Sequence, residues 1–202
     1  MESITKRPRT RLSPEKRKLQ LMEIAQEVFA KRGIGRAGHA DIADVAQVSV
    51  ATVFNYFPTR EDLVDEVLND VVSQYSNFIS NTIDPDNSIQ DNLQNLLDGI
   101  VELSICDCHW NKVWFEWSTS TRDEVWALFL SSNETSQSLL ENLFQAAIDN
   151  GDISNMHQPK ALTSLLHGVS YSVFVEANRE ADPNTLKYLS QTFIDMVCNK
   201  PC

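Results

Sequence analysis

From residue 14 onward, apolar positions recur at helical spacing. Leu21, Ile24, Ala25, Val28 and Phe29 follow the i, i+3, i+4, i+7, i+8 rule and form one stripe of an α-helix. Ser13-Pro14 starts this helix, because Ser caps orphan amides and Pro tolerates the first helical position. Gly33 ends it, since glycine readily takes a left-handed C-cap. Two short segments follow. Ile42, Val45 and Ala46 share a face within residues 41–47, and Val50, Val53, Phe54 and Phe57 share another within residues 50–57. Pro58 closes the second, as proline disfavours the helical conformation in the residue before it. Thr59-Arg60-Glu61-Asp62 then reads as a capping-box variant opening a further helix.

The remaining chain also reads as helix, with no sustained strand alternation, so the predicted fold class is all-α. Leu63, Val64, Val67, Leu68, Val71, Tyr75 and Phe78 form a long stripe that breaks at Asp84-Pro85-Asp86-Asn87. Later helical stretches cover residues 88–107, 110–119, 122–150, 159–179 and 183–199, with breaks at Gly151-Asp152 and Asp182-Pro183 and weaker ones near His109 and Ser120. There is no internal repeat.

The two short helices within residues 41–57 are too short to be stable alone and must pack on a third, which residues 14–32 supply. The product is a three-helix, helix-turn-helix head within residues 1–62, followed by a larger helical body over residues 63–202. On a helical wheel the second short helix leaves Ala51, Thr52, Asn55 and Tyr56 opposite its apolar set. Asn55 has the geometry to pair with an adenine edge, Ala51 and the Thr52 methyl to meet a thymine methyl, and Tyr56 to reach a phosphate. The same residues equally suit a solvated face, and the wheel alone leaves both readings open.

The charge distribution favours the DNA reading. A net charge of −11 argues against nucleic acid until it is divided: residues 1–62 carry eleven Lys/Arg against eight Asp/Glu, and residues 63–202 carry six against twenty. The head is therefore +3 and the body −14. Lys6, Arg7, Arg9 and Arg11 form a basic arm ahead of the first helix, suited to phosphate and minor-groove contact or simply to solubility.

Other candidate chemistry is weak. Gly33-Ile34-Gly35-Arg36-Ala37-Gly38 matches the dinucleotide fingerprint but follows a helix where that motif needs a strand. Cys106-Asp107-Cys108-His109 lacks the spacing and second ligand pair of a zinc site, and no metal or cofactor is expected. His39, His109, His157 and His167 fall in no nucleophile, metal or phosphate motif, so an enzyme is not expected. No apolar run is long enough to span a membrane and the start of the chain has no export signal, which implies a cytoplasmic protein with cysteines kept as thiols.

Residues 42–63, from Ile42-Ala43-Asp44-Val45-Ala46 through Val53-Phe54-Asn55-Tyr56-Phe57-Pro58-Thr59-Arg60-Glu61-Asp62-Leu63, resemble the signature of the TetR family of transcription regulators. Lys6-Arg7-Pro8-Arg9, Gly38-His39-Ala40-Asp41 and Lys112-Val113-Trp114-Phe115-Glu116-Trp117, with Arg122-Asp123-Glu124-Val125-Trp126, further resemble the LuxR/HapR-type quorum-sensing master regulators of vibrios. This resemblance implies about nine helices and a nucleoid-associated homodimer that binds imperfect palindromic operators in double-stranded DNA, as activator and repressor. It extends the expected DNA contacts to Gln47, Ser49, Val50 and Arg60. Many such heads have glycine where this chain has Gln47, so Gln47 is expected in a turn conformation that costs a non-glycine residue about 1 kcal/mol.

The resemblance also implies dimerisation through the last two long helices, where the chain offers apolar seams: Leu162, Leu165 and Val169 in one, Leu186, Leu189 and Phe193 in the other. Such stripes serve a plain core as readily as an interface. It points finally to a pocket for a small apolar ligand near Tyr75, Phe78, Trp114, Leu130, Asn133 and Ser170, whose apolar character is equally that of a filled core. Deleting residues 1–11 should weaken DNA binding and flatten its dependence on salt, measured by titration at several ionic strengths; unchanged affinity and slope would remove the arm from the interface.

Overall fold

A computed structural model describes residues 12–106, 108–179 and 182–198, so the basic arm lies outside the described residues. Ten α-helices and no strand occur among the described residues. The chain forms two compact units, residues 1–67 and 68–202.

The first unit holds α1 (Pro14–Arg32), α2 (His39–Ala46), α3 (Val50–Phe54) and the opening turns of α4 (Arg60–Thr82). The helix ends form as the sequence implies. Ser13 Oγ accepts the Lys16 amide at 3.3 Å, and Gly33, at φ 85°, returns its N–H to the Phe29 carbonyl. Thr59 and Asp62 cap α4 reciprocally: the Asp62 amide donates to Thr59 Oγ1 at 3.0 Å, while the Thr59 amide and hydroxyl donate to the Asp62 carboxylate. The core is Leu21, Ala25, Phe29, Ile42, Val53 and Phe57, closed by Leu63 and Val67 from α4. Because those last two are wholly buried here, the unit extends into α4 and divides from the second between Val67 and Leu68. Lys18–Glu66 and Arg32–Asp41 ion pairs lie on the surface, where each contributes at most about 1 kcal/mol.

The second unit adds α5 (Ile89–Ile105), α6 (His109–Ser118), α7 (Asp123–Ser132), α8 (Glu134–Asp149), α9 (Pro159–Ala177) and α10 (Pro183–Cys198). The break at residues 84–87 is stapled by the buried Asn92, whose Oδ1 accepts the Asp84 amide and whose Nδ2 donates to the Asp84 carbonyl, both at 2.9 Å. The core gathers Ile79 from α4, Leu93, Leu96 and Leu97 from α5, Phe144 from α8, Leu162 and Leu166 from α9, and Phe193, Ile194 and Val197 from α10.

The described residues hold ten helices, close to the expected nine or so, the extra one arising because residues 122–150 do not form one rod. Asn133, at φ −102° and ψ 8°, ends α7 and begins α8. Its backbone N–H donates to the Phe129 carbonyl at 3.1 Å and its Nδ2 donates to the same oxygen at 2.9 Å, so a side-chain bond is added to the backbone bond that closes α7. Ser131-Ser132-Asn133 was the only local sign of this break. No helix among the described residues is long and apolar enough to cross a membrane.

At Gly99, in the middle of α5, a Cβ would lie 2.6 Å from Cε2 of Phe78 on α4. Glycine is therefore what lets that ring seat against the α5 backbone. Gly99→Ala should cost about 1–2 kcal/mol, seen as a lower urea midpoint, and Gly99→Ala combined with Phe78→Ala should show less than the sum of the two single losses.

Candidate nucleic-acid interface and the body cavity

The turn between α2 and α3 depends on Gln47. It is the only non-glycine residue at positive φ among the described residues (φ 52°, ψ 45°), and its amide reaches the Asp44 carbonyl at 3.2 Å. The left-handed conformation expected of Gln47 is thus present, and its side chain is exposed. Ser49 then caps α3: its Oγ accepts the Thr52 amide at 3.2 Å and pairs with Thr52 Oγ1 at 2.8 Å. Both hydroxyls are committed to the cap.

The recognition segment is shorter than its apolar spacing suggests, because α3 ends at Phe54 and Asn55 is its C-cap. The faces sort differently from the wheel. Val53 is fully buried, Thr52 and Tyr56 are half-buried, and Val50, Ala51, Phe54 and Asn55 are exposed. Val50 (40 % exposed) and Phe54 (45 %) were expected with Val53 in the core. An eight-residue wheel does not apply to a five-residue helix followed by a turn, and only Val53 and Phe57 point inward. Val45 is likewise exposed where the spacing placed it with Ile42. Arg60, expected among the DNA contacts, donates from Nη2 to the Ile34 carbonyl at 2.7 Å and so braces the loop between α1 and α2.

His39 was not singled out for the head by its sequence context, yet it links α2 to the end of α3. Its ring is buried, stacks on Phe54 at 4.0 Å and 10°, and places Nε2 2.6 Å from the Phe57 carbonyl. The carbonyl can only accept, so Nε2 carries the hydrogen. No sequence signal reveals this pairing, because it joins residues eighteen positions apart.

In the second unit Tyr75, Phe78, Trp114, Leu130, Asn133 and Ser170 all line one cavity of about 670 Å³. Tyr75 stacks on Trp114 at 4.0 Å, and its burial raises the phenol pKa well above its ordinary value. Asn133 Oδ1 accepts the Trp114 indole N–H at 3.0 Å, so its two polar atoms are already paired within the protein. His167 also lines the cavity, with Nε2 3.0 Å from Ser118 Oγ. Ser118 donates its hydroxyl hydrogen to the Phe115 carbonyl, so it accepts from His167 and Nε2 is the protonated nitrogen. Trp117 Nε1 is the buried side-chain polar atom without a hydrogen-bond partner among the described residues; its ring meets Phe129 edge-on at 5.4 Å.

The expected dimer seams divide. Leu162, Leu186 and Phe193 are buried within their own chain, and Val169 and Leu189 are half-buried. Leu165 is 58 % exposed, as are Tyr188 and Met196 on α10 to a greater extent. The stripe that repeats every three to four residues marks mostly the core, and Leu165 is its exposed member. Cys106 and Cys108 lie at facing helix ends, α5 and α6, and no disulfide or grouping of metal ligands occurs among the described residues.

A short capped helix presented beyond a tight turn, on a three-helix support, is the geometry of a helix-turn-helix DNA-binding head. Residues 21–67 match the model for bacterial regulatory proteins of the tetR family. Over 198 residues, 98% of this chain and 97% of the relative, the sequence is 61% identical to the HTH-type transcriptional regulator LuxR of Vibrio harveyi. The fold is similar to that of a TetR-family regulator from Agrobacterium tumefaciens (TM-score 0.78, 15% identity, 93% of this chain and 100% of that one). It is also similar to the fatty acid degradation regulator FadR from Bacillus halodurans (TM-score 0.73, 17% identity, 92% and 97%). The chain belongs to the TetR family, and it is a DNA-binding transcription regulator, not an enzyme. Regulators of this family act as dimers and often bind small ligands.

Burial lowers the His167 pKa from its ordinary 6.5, so the ring is held neutral in the fold while the unfolded chain takes up a proton first. Its contribution to stability is complete above about pH 6.5 and is lost as the pH falls toward the lowered value. Urea midpoints should therefore drop on acidification through this window, and His167→Gln should flatten the drop; an equally steep drop in the variant would assign it to other groups.

Proposed function

We propose that this chain is a homodimeric master regulator of quorum sensing that reads an imperfect palindrome in double-stranded DNA, activating or repressing according to where the operator lies. It works in the cytoplasm at the nucleoid. The observation that carries this reading is the 61% identity to the Vibrio harveyi regulator across both units of the chain. A generic helix-turn-helix head would account for residues 12–67 alone.

The DNA contacts come from the exposed side of α3 and its flanks: Gln47, Val50, Ala51 and Asn55, with Ser49, Thr52, Tyr56 and Arg60 at the margin, and the basic residues Lys6, Arg7, Arg9 and Arg11 supply further phosphate contacts. Dimerisation uses the outward sides of α9 and α10, where Leu165, Tyr188 and Met196 leave apolar area in water that a second copy would cover. Two heads then address successive major grooves about 34 Å apart. The cavity in the second unit takes a small, largely apolar ligand, since Tyr75, Phe78, Trp114 and Phe129 are among its lining residues and Asn133 is already paired.

Selection of bound duplexes from a random pool by the full-length protein tests this reading. The expected motif has two-fold symmetry with half-sites about one helical turn apart. A motif without symmetry overturns the dimeric reading.

A further inference from the structure

Phe54 is an apolar ring left in water on the side of the recognition helix that faces away from the core. It is 45 % exposed, and Val50 and Ala51 beside it are exposed too, so the outer side of α3 carries an apolar wall next to the amide of Asn55. The ring is also held. One face lies on the His39 imidazole at 4.0 Å and 10°, which leaves its edge and other face open. His39 is itself fixed, buried at 6 % exposure and tied through Nε2 to the carbonyl of Phe57, a fully buried residue. A half-exposed ring on a rigid backing is pre-organised for contact and loses little rotamer freedom on binding.

In the major groove one base presents an apolar group, the C5-methyl of thymine. We propose that Phe54 is a specificity-determining residue that reads a thymine C5-methyl, with His39 as the positioning residue that sets the angle of its ring. This inference rests on the operator-binding reading above. It accounts for why Phe54 is not folded inward with Val53, and it assigns buried His39 a role that does not require it to touch DNA.

The test uses a duplex selected by the full-length protein, in which each thymine is replaced in turn by deoxyuridine, removing only the methyl group. At one position in each half-site the wild-type protein should lose about fourfold in affinity, the value of one buried methyl. Phe54→Ala should bind the unmodified duplex correspondingly less well and no longer distinguish thymine from deoxyuridine at that position. His39→Gln, which keeps a donor for the Phe57 carbonyl but loses the ring, should lower the thymine-to-deoxyuridine ratio at that position by more than it weakens binding to random DNA. Discrimination by Phe54→Ala equal to wild type at every thymine overturns the proposal, whatever the fate of the His39 variant. Absence of any selected sequence overturns the operator-binding reading and this contact with it.

Discussion

A five-residue helix cannot hold itself together. Fixing its first turn costs more than its few hydrogen bonds return, and in α3 the Asn55 amide to the Ala51 carbonyl is the bond that marks a full turn. The rest of the head compensates for that deficit. Ser49 closes one end by side-chain capping, His39 grips the Phe57 carbonyl beyond the other, and Val53 and Phe57 sink into a pocket built by α1 and α2. With both ends tied and the inner side buried, nearly all of the outer side is left for another molecule. The shortness of α3 is thus offset by its ties: shifting its backbone means releasing a cap or withdrawing Val53 and Phe57 from the core.

The all-helical class, the caps at Ser13 and Thr59 and the stop at Pro58 were legible because each rests on local chemistry within a few residues. The head was legible because two short amphipathic segments must find a third. What periodicity misjudged was the inner and outer assignment of Val45, Val50 and Phe54: α2 buries Ile42 but not Val45, and a wheel through residues 50–57 runs past Phe54, where α3 ends. The His39–Phe54 stack was invisible because it joins two helices through a turn. Leu162, Leu186 and Phe193 show the converse limit: a regular apolar stripe reports burial but not which chain does the burying. The six cavity residues came from family resemblance, and no spacing argument would have assembled them from α4, α6, α7, α9 and the junction before α8.

Charge is divided along the chain, and that division has a physical use. Residues 63–202, at net −14, are repelled by phosphate, whereas residues 1–62, at net +3, are not. Non-specific attachment through the acidic part of the chain is thereby weakened.

Asn133 sits where two helices meet without a linker, and each of its amide atoms is already spoken for, by the Phe129 carbonyl and by the Trp114 indole. Such a junction works as a gear tooth. Any slide of α7 along its axis drags the Trp114 ring, and any tilt of that ring meets Tyr75 and Phe129 at its faces and edges. The rings and the amide are therefore one meshed train, so that a shift of any one of them is felt by the helices that carry the others.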